Sequence, residues 1–348
     1  MNEILQPCIE DTISQSDIAL NIENLTVYYE LEEETVKAVN NISFIVKKGK
    51  TLGLVGETGA GKTSTVLSIM HLLPEPPAVI KSGNIHVYNH DMIHATEHQL
   101  ETWRGSDISM IFQDPMTSLN PVFSVGEQIA ESIMLHQKVS KQEAWELAGD
   151  MLERVGIPRG RAVEYPHQFS GGMKQRVVIA IALSCKPRVL IADEPTTALD
   201  VTIQAQVLDL MRQLRQEYNT TMIMITHDLG IVAEICDEVA VMYAGSIVEC
   251  GTLEDIFNNT AHPYTEGLFN SLPNINARVK RLTPIPGNMP NPTNLPDGCA
   301  FADRCKYATE KCRYTKPKKN MLSETHSVYC AAYDNVDFKL VRRSANNG

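Results

Sequence analysis

No run of apolar residues in this chain is long enough to cross a bilayer. The longest, such as Val177 to Leu183, fall far short of the ~18 residues a spanning helix needs, so the chain is not expected to insert itself in a membrane. Positive charge is also in short supply. The 31 Lys and Arg are outnumbered by 42 Asp and Glu, for a net charge of −11, which argues against nonspecific nucleic-acid binding. Met1 to Leu20 carries acids and no basic start, so no N-terminal export signal is expected. Internal duplication and heptads are missing too, which leaves one copy of whatever unit the chain encodes. These absences point to a cytosolic protein unless a partner holds it at a membrane. At 348 residues it has room for about two domains and easily buries a core.

Against that background, five short motifs stand in fixed order across the first two thirds of the chain. The first is Gly56-Glu57-Thr58-Gly59-Ala60-Gly61-Lys62-Thr63, followed by Ser64. It fits the Gly-x-x-x-x-Gly-Lys-[Ser/Thr] pattern, whose glycines let backbone N–H groups wrap phosphates closely. In that pattern Lys62 reaches the β- and γ-phosphates of ATP and the Thr63 hydroxyl binds Mg²⁺. The apolar Lys50 to Val55 before it reads as a buried strand and Thr63 to Leu73 as a helix. The phosphates are thus expected at a helix N-terminus. Val189-Leu190-Ile191-Ala192-Asp193-Glu194 reads as a parallel strand buried on both faces and ending in two acids, at the edge where such sheets bind ligands. Asp193 is the expected Mg²⁺ carboxylate and Glu194 the general base. Without the glycine-rich loop, the same two acids would read equally well as a solvated strand end.

Phe169-Ser170-Gly171-Gly172-Met173 resembles the Leu-Ser-Gly-Gly-Gln signature of ATP-binding cassette (ABC) proteins, and the helix after it looks typical of them. A helix start of this kind offers N–H groups to an anion. The resemblance implies that Ser170, Gly171 and Gly172 bind the γ-phosphate held by a second subunit. Met173 departs from the usual Gln, which affects that side chain's polar contact but not the backbone contacts. Gln113, in Met110-Ile111-Phe112-Gln113-Asp114, resembles the glutamine that touches Mg²⁺ and the attacking water. His227, after an apolar strand, resembles the switch histidine at the γ-phosphate, although a lone His there is more often structural. Asp200 resembles the aspartate of the loop that crosses between cassettes. Tyr29 resembles the aromatic that stacks on adenine, with Tyr28 its competitor and strand packing its bland alternative.

The resemblance implies an α/β fold: a RecA-like P-loop ABC ATPase core with a β-subdomain and a helical subdomain, and a small Cys-rich C-terminal extension. The expected nucleotide-binding domain covers 18–256, with its helical subdomain at about 114–167, where Val125 to His136 and Lys141 to Val155 read as helices. Leu20 to Phe112 is expected to alternate strands and turns around the P-loop helix, and Met242 to Glu249 to form a hairpin closing the core. Glu30 to Glu34 reads as a solvated turn. Residues 257–348 form the extension, which His262-Pro263-Tyr264-Thr265 opens in the manner of peptide-importer ATPases.

In that extension Cys299, Cys305, Cys312 and Cys330 follow one another with five, six and seventeen intervening residues. Their spacing fits neither Cys-x₂₋₄-Cys zinc pairs nor a standard ferredoxin run. By itself it leaves a metal site, reduced thiols and a regulatory disulfide all open. The surrounding sequence looks like the tail of dipeptide and oligopeptide importer ATPases, which implies a [4Fe–4S] cluster on the four cysteines, with zinc as runner-up and Arg304, Lys306, Lys311 and Arg313 nearby to offset its charge. Cys8, Cys185, Cys236 and Cys250 are scattered and read as ordinary thiols.

From Leu20 to Cys330, and most specifically in Ile191 to Gln206 and Tyr243-Ala244-Gly245, the chain resembles the D-type ATPase subunit of dipeptide/oligopeptide importers. That implies pairing with a homologous F-type ATPase beneath two transmembrane permease subunits at the cytoplasmic face of the cell membrane, with an extracytoplasmic peptide-binding protein delivering substrate. Nickel or another small solute is the alternative cargo. A soluble, non-transport ABC ATPase is the rival from another class, and the single cassette and importer-like tail weigh against it.

Overall fold

The computed structural model describes residues 15–197, 199–271, 284–334, 338 and 340. Cys8, most of the Met1–Leu20 segment and Ala198 lie outside the described residues. Two long strands, β1 (Ile18–Glu30) and β2 (Thr35–Lys47), pair antiparallel. The turn between them, Leu31 to Glu34, is exposed. β3 (Thr51–Val55) is buried along its whole length and leads through the glycine loop into α1 (Lys62–Ile69). That helix stops short of Leu73 because His71 takes a left-handed φ of 51°. β4 (Ala78–Val87) and β5 (His90–Asp91) complete a four-stranded antiparallel sheet in the order β2-β1-β4-β5.

Where the sequence reading has strands continuing to Phe112, the structure inserts α2 (Glu97–Trp103) before β6 (Ile108–Ile111). Its signal is Thr96 with Gln99, a reciprocal capping box that satisfies two orphan N–H groups. After the short α3 (Pro115–Ser118) come α4 (Val125–His136) and α5 (Lys141–Arg154), started by Ser124 and Ser140, whose hydroxyls accept from the backbone three residues on. Then follow α6 (Gly171–Leu183), β7 (Val189–Asp193), α7 (Val201–Tyr218), β8 (Thr221–Thr226), α8 (Leu229–Ile235), β9 (Glu238–Tyr243) and β10 (Ser246–Thr252). β9 and β10 form the hairpin expected around Ala244-Gly245.

The second sheet runs β11-β12-β10-β9-β3-β8-β7-β6. Its five strands from β9 to β6 are parallel, and β3, β7, β8 and β9 are buried at every position. Burial on both faces is why these strands read as continuous apolar runs. The side chains still alternate between two cores, as the two-residue period requires. Leu190, Ala192, Met222, Met224, Val239 and Val241 face a core shared with α4 to α8. Val189, Ile191, Ile223, Ile225, Ala240 and Met242 face one shared with α1 and the antiparallel sheet.

Beyond β10 lie α9 (Leu253–Asn258), α10 (Pro263–Asn270), α11 (Glu310–Tyr314), β11 (Lys319–Met321) and β12 (Ser327–Tyr329). β12 pairs with β10, so the C-terminal segment continues the main sheet. A buried side-chain pair locks that edge. Glu249, fully buried, accepts from the backbone N–H groups of Ala261 and His262, and its Oε1 lies 2.9 Å from His326 Nε2.

Candidate functional site

The loops leaving β3, β6, β7 and β8 emerge at the carboxyl edge of the parallel sheet, where open α/β sheets bind ligands. They enclose a cavity of about 440 Å³. Its walls include Tyr29 of β1, the loop from Thr58 to Ser64, Gln113, Glu194, His227 and Pro292. Tyr28, one residue from Tyr29, lines a different cavity between the antiparallel sheet and the C-terminal segment. The strand's alternation therefore separates the two tyrosines, and Tyr29 is the one at this site. Its hydroxyl lies 3.1 Å from Ser64 Oγ.

The glycine loop has the shape its sequence demands. Gly59 and Gly61 take φ of 83° and 100°, conformations that L side chains rarely adopt. At Gly56 a Cβ would stand 2.3 Å from the Met242 carbonyl oxygen, so only glycine lets the loop lie against β9. Lys62, 7% exposed, bends back to donate to the carbonyls of Gly56 at 2.7 Å and Glu57 at 3.1 Å. Burial lowers its pKa, and Glu194, Asp193 and Glu57 oppose that shift. Thr63 Oγ1 donates to Asp193 Oδ2 at 3.1 Å, and burial pushes the Asp193 carboxyl up despite that bond.

Glu194 leaves β7 with a left-handed φ of 46°, which separates its side chain from that of Asp193. Gln113 Nε2 donates to its Oε2 at 3.0 Å, Thr197 Oγ1 donates to the same oxygen at 2.9 Å, and His227 Nδ1 lies 3.0 Å from Oε1. Burial alone would raise the Glu194 pKa. The hydrogen bonds with His227 and Thr197, and the charges of His227 and Lys62, hold it below its ordinary value instead. A carboxylate surrounded by donors, beside a buried ammonium and a second acid, is suited to accept a proton from water next to an anion. The oxygens of Thr63, Asp193 and Gln113 are the hard donors that Mg²⁺ takes.

Three of the expected phosphate contacts lie elsewhere. Ser170, Gly171 and Gly172 start α6, and Asp200 starts α7; none of the four lines this cavity. Ser170 Oγ accepts from Met173 N–H and Asp200 Oδ1 from Ile203 N–H, so each caps its own helix. Ser170, Gly171 and Asp200 are exposed.

The ABC transporter family matches residues 39–197, and the oligopeptide/dipeptide transporter C-terminal region matches 248–312. The chain is 48% identical over 317 residues to the oligopeptide transport ATP-binding protein AppD of Bacillus subtilis, covering 90% of this chain and 97% of that one. It is 48% identical to the dipeptide transport ATP-binding protein DppD of the same organism, covering 90% and 95%. With the oligopeptide transport ATP-binding protein OppD of Escherichia coli it shares 49% identity over 80% of this chain and 82% of that one. The chain belongs to the ABC transporter family. Among solved structures, a dimeric ATP-binding cassette in a post-hydrolysis state with ADP and Pi superposes with a TM-score of 0.61 at 25% identity, covering 67% of this chain and 98% of that one. That confirms the RecA-like ABC ATPase fold for the core.

In this ABC transporter ATP-binding protein, Cys299, Cys305, Cys312 and Cys330 are half-buried and form no disulfide. Burial, with smaller contributions from other cysteines, raises the pKa of Cys299 to about 11 and of Cys330 to about 12. Cys299 N–H donates to the Cys312 carbonyl at 2.7 Å, which brings those two positions side by side. Among the described residues, no three His, Cys, Asp or Glu side chains are grouped so as to hold a metal ion, so neither the expected [4Fe–4S] cluster nor the zinc alternative finds a ready ligand set. The basic side chains expected to offset a cluster are each paired elsewhere: Arg304 with Glu57, Lys306 with Glu266, Lys311 with Asp334 and Arg313 with Asp303. Of the other thiols, Cys236 and Cys250 are buried, and burial lifts Cys236 to about 12. Sequence reasoning missed Thr197 as a site residue, although its hydroxyl donates to Glu194, and Pro292, which reaches the cavity from the C-terminal segment.

Proposed function

We propose that this chain is the ATP-hydrolysing subunit of a membrane importer of di- and oligopeptides. The reading is carried by its 48% identity, across nine tenths of its length, to proteins named for oligopeptide and dipeptide transport. The gathering of Gln113, Thr197 and His227 on Glu194 supplies the chemistry. ATP lies with its base on Tyr29 and its phosphates in the Gly56–Ser64 loop against Lys62. Thr63, Gln113 and Asp193 would hold Mg²⁺, which neutralises phosphate charge when bound. Glu194 takes a proton from water as the water oxygen bonds to the γ-phosphorus, and the bond to the β–γ bridging oxygen breaks to leave ADP and phosphate. His227 stands at the γ-phosphate.

Ser170, Gly171, Gly172 and Asp200 serve the site of a second, homologous F-type ATPase chain. The pair works beneath two permease subunits on the cytoplasmic face, and an extracytoplasmic binding protein brings the peptide. Among the described residues no helix is long and apolar enough to cross a membrane. Phe112, Val122, Phe123, Met134 and Leu135 expose apolar side chains around α3 and α4, a surface suited to a permease. Residues 18–256 form the nucleotide-binding domain, with the helical subdomain at about 114–167, and 257–348 form the extension.

The deciding experiment is uptake of labelled peptides and of nickel by cells lacking this chain, complemented with wild type or Glu194→Gln. Peptide uptake restored by wild type alone supports the reading, with turnover in the variant down by about 10²–10⁴. Nickel uptake restored instead would keep the machine and change its cargo.

The four tail cysteines bind a [4Fe–4S] cluster in this reading, since four thiols within one segment supply the donor type and number such clusters take. Raised thiol pKa values mean that loading releases protons. Anaerobic purification should give a brown protein with iron and sulfide that Cys305→Ser loses; an iron-free wild type would overturn this.

A further inference from the structure

Glu57, the second residue of the glycine loop, does not line the cavity. It turns outward into the C-terminal segment. Arg304 Nη1 donates to Glu57 Oε2 at 2.8 Å and Nη2 to Oε1 at 3.1 Å, the two-pronged geometry that a guanidinium and a carboxylate share. The Arg304 side chain is only 7% exposed. Its Nε donates to the Pro286 carbonyl at 2.9 Å and its Nη1 to the Tyr243 hydroxyl at 3.3 Å, so its fork is fixed before it meets Glu57. The main chain is held as well: Glu57 N–H donates to the Tyr264 hydroxyl at 2.8 Å. Tyr264 is fully buried and packs on Tyr243 and Phe301, with ring centres 4.6 and 5.4 Å away. From inside, Lys62 grips the Glu57 carbonyl.

We propose that Arg304 is a positioning residue for the phosphate-binding loop, and that the C-terminal segment uses its paired contacts with Glu57 to hold that loop in its nucleotide-receiving shape. The proposal rests on the ATP site described above. Two glycines at positive φ leave the loop few restraints of its own. An outer clamp removes ordering that would otherwise have to accompany phosphate binding. Such a clamp acts alike on bound substrate and transition state, so its loss appears in KM rather than in kcat. It also makes the tail and the ATP site thermodynamic neighbours, with equal and reciprocal coupling.

In the assembled transporter, Arg304→Ala should raise the KM for ATP and the Kd for a non-hydrolysable analogue by roughly 5- to 20-fold. Its kcat at saturating ATP should stay within about twofold of wild type. Arg304→Lys, which keeps charge but loses the fork, should fall between. Glu57→Gln leaves the tail sequence intact and guards against a folding failure of Arg304→Ala. It should show the same rise in KM, the double variant should be no worse than either single one, and hydrogen exchange across Cys299–Cys305 should quicken in Glu57→Gln. Unchanged KM in both single variants, or fully additive effects, would overturn the proposal. Lys62→Ala separates the two readings: if it binds ATP as wild type does, the ATP site itself is wrong, whatever Arg304 does.

Discussion

Glu194 occupies a left-handed backbone that a side-chain-bearing residue adopts at a cost of about 1–3 kcal/mol. The distortion buys separation: Asp193 stays in the strand, 2% exposed and bonded to Thr63, while Glu194 swings to the three donors. Two adjacent carboxyls are thereby pushed in opposite directions, Asp193 up by burial and Glu194 down by its hydrogen bonds, burial notwithstanding. His262 shows the same control exerted for stability. It is 1% exposed and starts α10, with its Nδ1 accepting from Tyr264 N–H at 3.0 Å. Burial lowers its pKa from 6.5 to about 3, so the folded chain keeps it neutral while the unfolded chain protonates it below pH 6.5. The unfolded state then binds more protons between those values, and stability falls as pH drops through that window. From pH 7 to pH 5 this one residue should cost about 2 kcal/mol. His262→Asn keeps a capping side chain and should flatten that part of the dependence. Denaturant midpoints at the two pH values check it, and equal pH slopes for both proteins would contradict it.

At the scale of elements, legibility follows whether the causes are local. The starts of α4 and α5 are written beside them, in Ser124 and Ser140 with an acid three residues on, and the sequence places both helices. The buried parallel strands announce themselves as apolar runs, and the glycine loop is a motif because its backbone leaves so little choice. Two local signals were passed over: the Thr96–Gln99 capping box of α2, and the end of α1, where His71 turns left-handed without a glycine to mark it. Other features have no local cause. Arg304 and Glu57 are 247 residues apart, and Pro292 reaches the cavity only because the C-terminal segment folds back along β2, where Lys37 N–H donates to its carbonyl at 3.0 Å. The basic residues around the cysteines looked like counter-charges in sequence. In space each finds its own carboxylate, because a partner's position is set by the tertiary fold.

For the whole molecule, the decisive fact is that the cavity is built from one side. Glu194, Gln113, His227, the loop from Thr58 to Ser64 and Tyr29 line it, but the Ser170 turn does not, and His227 is left 66% exposed in its side chain. If a second chain supplies the missing wall, binding and turnover should come apart. Binding draws on the loop, Lys62 and Tyr29, all within this chain, whereas turnover needs water excluded and the γ-phosphate enclosed. The isolated chain should then bind ATP but hydrolyse it slowly, and the assembled pair should hydrolyse it faster. Ser170→Arg sharpens the test. It places a bulky side chain at the α6 start and removes a helix cap worth about 1 kcal/mol, too little to unfold a domain of this size. In the isolated chain its ATP affinity, measured by titration, should match wild type; in the assembled pair, phosphate release should collapse. Loss of affinity in the isolated chain would place Ser170 in its own chain's pocket, and the two-chain site would have to be abandoned.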